Sequence, residues 1–182
     1  MGKLVLTAAL FLSAGLVSCS KVATPKNASA DFHSSTINIG MVVGDIEQSA
    51  SFYTDAIGLV ESPGFLVGAE FCSDSGLTNS QPLAIRVFQT DAGETATKLK
   101  LMQLPGVTSK TSDNAFIHSQ LGLSYITIYV TDMGAALARL AVTGVMPLAN
   151  GPVALGEDAM GPALTLVRDP DGNLVELIGP TK

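Results

Sequence analysis

The chain has 182 residues, of which 47% are hydrophobic and 14% are charged, so it can bury the core of one domain or of two small modules. This composition excludes disorder for most of the chain. The net charge is −6 and there is no basic run, which argues against nucleic acid as a partner.

The N-terminus has the pattern of a targeting segment. Lys3 precedes an apolar run from Leu4 to Val17, which is too short to span a bilayer comfortably. The run ends in "LVSC", Leu16 to Cys19, which resembles the lipobox of bacterial lipoproteins. The resemblance implies that residues 1–18 are a signal peptide and that lipid is attached to Cys19 after cleavage. An ordinary secretory signal and an uncleaved anchor are the alternatives.

Residues 19–35 are predicted to be the lipidated cysteine and a flexible tether, because the segment is polar, Ser/Ala/Thr-rich and without periodicity. Ser20 follows Cys19, whereas the lipoprotein sorting rule retains proteins with an acidic residue there in the inner membrane. We therefore expect a cell-envelope protein whose lipid on Cys19 binds the membrane, the outer one in a Gram-negative cell. Cys72 would then lack a disulfide partner and be a buried small side chain.

Two later stretches repeat one pattern. They are "INIGMVVGDIEQSASFYTDAIG", Ile37 to Gly58, and "SYITIYVTDMGAALARLAVTG", Ser124 to Gly144. Each contains an alternating strand, an Asp, an amphipathic helix and a Gly. Asp45 and Asp132, 87 residues apart, are the expected N-caps of the two helices. The shared offset indicates a duplicated module.

Three strand-like segments follow each predicted helix, which gives the order βαβββ twice. The expected strands are about Leu59–Val67, Leu83–Gln89 and Thr97–Leu104 in the first copy, and about Val145–Leu148, Ala163–Arg168 and Leu174–Ile178 in the second. We predict a first module at 36–106, a linker at 107–122 and a second module at 123–180. The predicted fold class is α+β, with paired βαβββ modules forming a curled mixed-sheet cleft.

Alternation along these strands predicts which side chains line the cleft. Apolar rows should pack on the helices, and the opposite rows carry sparse polar groups. The cleft and ligand-binding candidates are therefore Asn38, Arg86, Lys100, Tyr125, Tyr129 and Glu176. Arg86 could hold a carboxylate or phosphate there, or form a salt bridge within the cleft.

Two motifs resemble the vicinal oxygen chelate superfamily, which includes glyoxalase I, bleomycin-resistance proteins and extradiol dioxygenases. They are "GDIEQSASFYTDAIGL", Gly44 to Leu59, and "RDPDGNLVELIGP", Arg168 to Pro180. The resemblance covers about residues 36–180 and implies the paired-module fold. It specifies the activity poorly, because one fold hosts many functions.

Metal-dependent members of that superfamily place His, Glu or Gln ligands on the first and last strands of each module. The matching positions here are Asn38, Lys100, Tyr125 and Glu176, and only Glu176 keeps the usual identity. A lysine ammonium has no lone pair and repels a cation. We therefore expect no cofactor, with a divalent metal as the alternative, and we expect Lys100 to pair with Glu176. A solvated lysine on an edge strand is the competing interpretation.

The resemblance and the missing ligands together favour a metal-free module that binds a small molecule in its cleft. The alternatives are a glyoxalase-like lyase or isomerase, or a dioxygenase, with an atypical centre, in which case the catalytic residues are unknown. A third interpretation is an interaction protein at the envelope. The cleft could close within one chain or between the chains of a homodimer.

Overall fold

The computed structural model describes residues 33–34, 36–157 and 161–181. The predicted signal peptide, Cys19 and nearly all of the tether lie outside these residues. The described residues from Ser34 onward form a single compact unit. Within the described residues, no helix is long and apolar enough to cross a membrane.

The described chain forms two four-stranded sheets with the same topology, which confirms the predicted fold class. The strands are β1 (Ile39–Val42), β2 (Val60–Val67), β3 (Leu83–Gln89), β4 (Lys98–Met102), β5 (Tyr125–Tyr129), β6 (Val153–Ala154), β7 (Pro162–Arg168) and β8 (Leu174–Pro180). The first sheet has the order β1-β4-β3-β2 and the second has the order β5-β8-β7-β6. In each sheet the first strand along the chain pairs in parallel with the last, and the other pairings are antiparallel.

Both repeated helices begin where the sequence predicts. Asp45 caps α1 (Ile46–Ser51) by accepting hydrogen bonds from the backbone N–H groups of Glu47 and Gln48, each at 3.0 Å. A π-helical segment, Phe52–Ile57, continues α1 and ends at Gly58, whose positive φ of 92° suits a residue without a Cβ.

The second repeated helix follows the same pattern. Asp132 caps α3 (Met133–Val142) by accepting from the N–H of Ala135 at 3.1 Å. The two helical segments share one core with β1, β4, β5 and β8, and that core includes Tyr53, Leu101, Met133 and Leu177. In each sheet, one face therefore packs against the repeated helices, and the other face points away from them.

The sequence prediction was wrong in two places. The strand expected at about Val145–Leu148 is not formed; β6 is instead the short pair Val153–Ala154. A helix that the pattern did not predict, α2 (Ala69–Asp74), follows β2 and buries Cys72. Cys72 packs with Leu83, Ile85 and Val87 in a second apolar cluster.

The position of α2 decides which side chains β3 presents to each face. Ile85 and Val87 lie opposite the main helices because α2 covers them there, and Phe88 lies in the main core. Both faces of this strand are consequently apolar, so it lacks the alternation of polar and apolar residues that marks a half-buried strand.

Candidate functional site

Matching rows of residues cross the faces of the two sheets that lie opposite the repeated helices; in the first sheet, α2 covers part of this face at Ile85 and Val87. In the first sheet, Gly40 lies beside Lys100, and Lys100 lies beside Val87. In the second sheet, Thr127 lies beside Glu176, and Glu176 lies beside Leu166. The duplicated modules therefore place a lysine and a glutamate at equivalent positions of their last strands.

Glu176 is a half-buried carboxylate on an otherwise apolar surface. It accepts a hydrogen bond from the hydroxyl of Thr127 at 2.7 Å. Its neighbours on the same face include Leu166 on β7 and the alternating residues Leu174 and Ile178 of its own strand. Among the described residues, no cation lies within 4.0 Å of this carboxylate.

The expected ion pair between Lys100 and Glu176 is not formed. The Lys100 ammonium lies 5.7 Å from the centroid of the Phe65 ring, a cation–π contact, and no acidic group of the described chain pairs with it. The two charges belong to different sheets, and nothing in the described chain brings them within salt-bridge distance. Lys100 is half-buried, so the solvated-lysine interpretation is also incomplete.

Asn38 and Tyr125, the other two positions of the expected ligand set, are exposed. The side-chain oxygen of Asn38 accepts from the backbone N–H of Lys98 at 3.1 Å, so it ties the start of β1 to β4. Tyr125 lines a cavity of about 210 Å³ at one end of β5, together with Leu123 and Leu174.

Arg86 does not face the cleft, which corrects the sequence prediction. It pairs in register with Leu101, whose neighbour is Met41, so it lies on the helix-covered face. The prediction was wrong because α2 covers the apolar row of Ile85 and Val87. The row that contains Arg86 therefore faces the repeated helices.

Arg86 forms surface ion pairs on that face. Its guanidinium donates to Glu61 at 2.7 and 2.8 Å and to Glu47 at 2.8 Å. The hydrogen bonds that Arg86 donates to these carboxylates, first to Glu61 and then to Glu47, raise the pKa of Arg86, and the hydrogen bond from Arg86 lowers the pKa of Glu61. The Arg86 guanidinium is therefore paired with Glu47 and Glu61 on the helix-covered face. It is not available to bind a ligand in the cleft.

A cavity of about 320 Å³ lies where β5 meets the ends of β3 and β4, and we call it the seam cavity. Apolar side chains form most of its wall: Ile39, Leu59, Phe88, Leu99, Ile126 and Ile128. The polar lining residues are Gln89, Thr90, Thr97, Thr127 and Tyr129. Tyr129 is thus the sequence-predicted candidate that this cavity includes, and Thr127 connects the cavity to Glu176.

Sequence reasoning missed Gln89, which is 7% exposed. Its strand reads as an apolar run that ends in a polar residue, and such an ending is ordinary at a strand terminus. The signal that could have found it is its position, because it ends β3 beside the residue that begins β4.

The turn between β7 and β8 has a structural role. Asp169 is 5% exposed and accepts hydrogen bonds from Tyr53 at 3.0 Å and from the backbone of Asn173 at 2.7 Å. Asp171 accepts from the backbone of Gly44 at 3.0 Å. The two motifs that carry the family resemblance therefore contact each other and join the two modules.

The residues at the family's ligand positions do not fit a divalent metal. Lys100 cannot donate a lone pair, and the Asn38 oxygen is already engaged with the backbone of Lys98. The described chain contains no cluster of three or more His, Cys, Asp or Glu side chains that could hold a metal ion. Glu176 alone is too few ligands for such a site.

The protein consists of two βαβββ modules, each with one four-stranded sheet and one repeated helix. The β7–β8 turn joins the second module to the first. The family model described as the glyoxalase/bleomycin resistance protein/dioxygenase superfamily matches residues 36–177. The chain belongs to this superfamily. No curated protein matches the sequence.

Solved structures share the fold at low sequence identity. A glyoxalase family protein from Bacillus cereus has a TM-score of 0.66 and 18% identity, over 85% of this chain and 100% of that one. A glyoxylase/bleomycin resistance protein/dioxygenase domain from Frankia sp. has a TM-score of 0.55 and 15% identity, over 80% and 90%. A glyoxalase/dioxygenase from Nostoc punctiforme has a TM-score of 0.52 and 16% identity, over 80% and 90%. At these identities the likeness shows the fold alone.

Proposed function

We propose that the folded body binds a small organic molecule without a metal, in the seam cavity. The observation that carries the proposal is the cavity itself: about 320 Å³, with mostly apolar walls and a few polar groups. Ligand sites in proteins have this volume and this kind of lining. The cavity also lies between elements of both modules, where a ligand would contact each of them.

Two other cavities of comparable volume support binding less well. One of about 260 Å³ is lined by polar groups of the linker, including Ser109 and Thr111. Another of about 310 Å³ lies beside the helices and is lined by Gln48, Ser51 and Asp55 among others. The seam cavity offers the larger apolar wall, and apolar burial is the main source of small-ligand affinity.

Metal-dependent lyase, isomerase or dioxygenase chemistry is disfavoured by the donor set. Three of the four ligand positions carry side chains that hold a divalent cation poorly or not at all. Binding of an organic molecule does not need those ligands. It needs a cavity and groups that orient the ligand, and Thr127 and Tyr129 supply such groups in this cavity.

A cavity-filling variant tests the proposal. Thr90→Trp places a large ring at the seam cavity, whereas Thr111→Trp does the same in the linker cavity and serves as the control. We expect a compound from a thermal-shift screen to stabilise the wild type and Thr111→Trp, and to lose most of its effect on Thr90→Trp. Equal stabilisation of both variants would place binding elsewhere, and a screen without any stabilising compound would count against the function.

We also propose that the chain is lipid-tethered at the cell envelope through Cys19. The support is the sequence "LVSC" after a charged and apolar lead, with Ser20 next in line. Such a tether would keep the binding body at a membrane surface, where it could sequester a molecule outside the cytoplasm. Fatty-acid labelling of the wild type and of Cys19→Ser tests this directly.

A further inference from the structure

The seam cavity contains one polar side chain that is nearly enclosed and has no partner. Gln89 is 7% exposed, and its backbone pairs with Val60 and Lys98 on the neighbouring strands. Its side-chain amide forms no hydrogen bond with any other described residue, and it is absent from the fully enclosed unpaired groups, which include the Ser49 and Thr165 hydroxyls. The amide therefore retains accessible surface, and the seam cavity is the space that Gln89 lines.

An amide this enclosed keeps little contact with water, so a partner that satisfies both its donor and its acceptor is favoured. A glutamine amide presents an acceptor oxygen and a donor NH₂ side by side. A group with a donor and an acceptor in the same spacing satisfies both at once. Carboxamides, lactams, imides and the edges of nucleobases have this arrangement.

The rest of the lining restricts the ligand further. The side chains that line the seam cavity carry no formal charge, and its wall is largely aliphatic and aromatic. A charged ligand would lose its hydration there without gaining a counterion. Glu176 lies behind Thr127, whose hydroxyl hydrogen is already donated to that carboxylate. Thr127 therefore offers an oxygen acceptor to the cavity.

We propose that the seam cavity selects a neutral, mainly apolar molecule that carries an amide-like group, and that Gln89 recognises this group through paired hydrogen bonds. The proposal rests on the proposed function, since it names the ligand class of the same cavity. It adds a specificity-determining residue and a chemical class. Thr90, Thr97 and Tyr129 provide further hydroxyl groups around the cavity.

A matched set of probes tests the inference on the purified full chain. Benzamide has the amide, acetophenone keeps only the carbonyl, benzoate adds a charge, and ethylbenzene has no polar group. We expect ligand-observed NMR titration to show benzamide binding about 10-fold or more tightly than the other three, the size of change that a satisfied buried hydrogen bond produces. The Gln89→Leu variant should remove this preference and leave ethylbenzene binding unchanged or tighter.

Two further variants keep the result interpretable. Gln48→Leu makes the same substitution at an exposed helix position outside the seam cavity and should retain the benzamide preference. Gln89→Glu is nearly isosteric with the wild type and should shift the preference from benzamide to benzamidine, which is cationic. If Gln89→Leu keeps the preference, or if benzamide binds no better than ethylbenzene, the inference is wrong while the binding function stands. If no probe binds in the seam cavity, the inference is wrong, and the thermal-shift screen separately decides whether the binding function fails as well.

Discussion

Tyr53 donates its phenolic hydroxyl to the Asp169 carboxylate at 3.0 Å, and neither residue is more than 5% exposed. This contact joins the helical segment of the first module to the β7–β8 turn of the second. The backbone N–H groups of Asp171 and Asn173 donate to the other oxygen of Asp169, at 3.0 and 2.7 Å. One carboxylate thus organises the turn and connects it to the other module.

The first prediction follows from the ionisation of Tyr53. Burial and the nearby Asp169 carboxylate raise the pKa of Tyr53 in the folded state above its ordinary value of about 10. Below pH 10, Tyr53 is neutral in both the folded and the unfolded protein, and its full contribution to the free energy of unfolding is present. Above it, the unfolded tyrosine ionises while the folded one stays neutral, so the free energy of unfolding falls by about 1.4 kcal/mol per pH unit.

Urea unfolding of the wild type and Tyr53→Phe checks this difference. The Phe variant should be less stable by about 1.5–3 kcal/mol near neutral pH, because it loses a hydrogen bond to a charged group. It should also lack the extra decline above pH 10. Parallel pH profiles of the two proteins above pH 10 would contradict the assignment.

The second prediction concerns a glycine in β2. A Cβ at Gly64 would collide with the backbone carbonyl oxygen of Ile85, at the irregular register between Ser62 and Phe65. Gly156 is the matched control, because a Cβ there meets nothing within 4 Å and its φ lies outside the left-handed region. We expect Gly64→Ala to destabilise the fold by about 1–3 kcal/mol and Gly156→Ala to be neutral or stabilising by up to about 1 kcal/mol. Equal unfolding midpoints for the two variants would be inconsistent with this packing.

The third prediction separates Arg86 from ligand binding. Arg86→Met removes the ion pairs with Glu47 and Glu61, which are substantially solvent-exposed. Such pairs contribute about 0–1 kcal/mol and are screened by salt. The variant should therefore lose at most about 1 kcal/mol in low salt, and less in 1 M NaCl. Its affinity for a seam-cavity ligand should equal that of the wild type in an NMR titration, and a clear loss of affinity would return Arg86 to the site.

The repeat and the N-caps of its helices could be predicted from the sequence, because both depend on local chemistry. Asp45 and Asp132 cap helices at the predicted places, since an Asp oxygen satisfies the free N–H groups of a first helical turn. The strand register then places Lys100 and Glu176 at equivalent positions on the faces that lie opposite the repeated helices. Pattern alone was sufficient where one face of a strand is apolar and the other is not.

The rest depends on tertiary packing that alternation does not encode. The α2 helix covers the second face of β3, so the strand is apolar on both sides and Arg86 was assigned to the wrong face. The segment near Val145 forms a loop instead of the expected strand. This loop contacts β7 through one backbone hydrogen bond, from the N–H of Leu148 to the carbonyl of Leu166. Gln89 was missed because its position at the end of β3 is ordinary by itself, and its significance comes from the cavity formed by elements far apart in the chain.

The fourth prediction concerns the metal. After dialysis against Zn²⁺, Ni²⁺, Mn²⁺ or Fe²⁺, the wild type should retain less than one equivalent, because the Lys100 ammonium offers no lone pair and Glu176 supplies a single carboxylate. Elemental analysis measures the bound metal. Stoichiometric metal in the wild type that disappears in Glu176→Gln would overturn the metal-free proposal.

The fifth prediction concerns the tether and compares the two cysteines. Cys72 is completely buried in the cluster under α2, so it is unavailable to a lipid-transferring enzyme in the folded protein. Cys19 ends the lipobox-like sequence. We expect Cys19→Ser to abolish fatty-acid labelling and to release the protein from the membrane fraction, while Cys72→Ser remains labelled and membrane-bound. A diacyl anchor holds a protein stably at a membrane, and the Cys19→Ser variant would lack both acyl chains. Nearly all of the variant protein should therefore leave the membrane fraction. Labelling that persists in Cys19→Ser would show that the lipid is attached elsewhere.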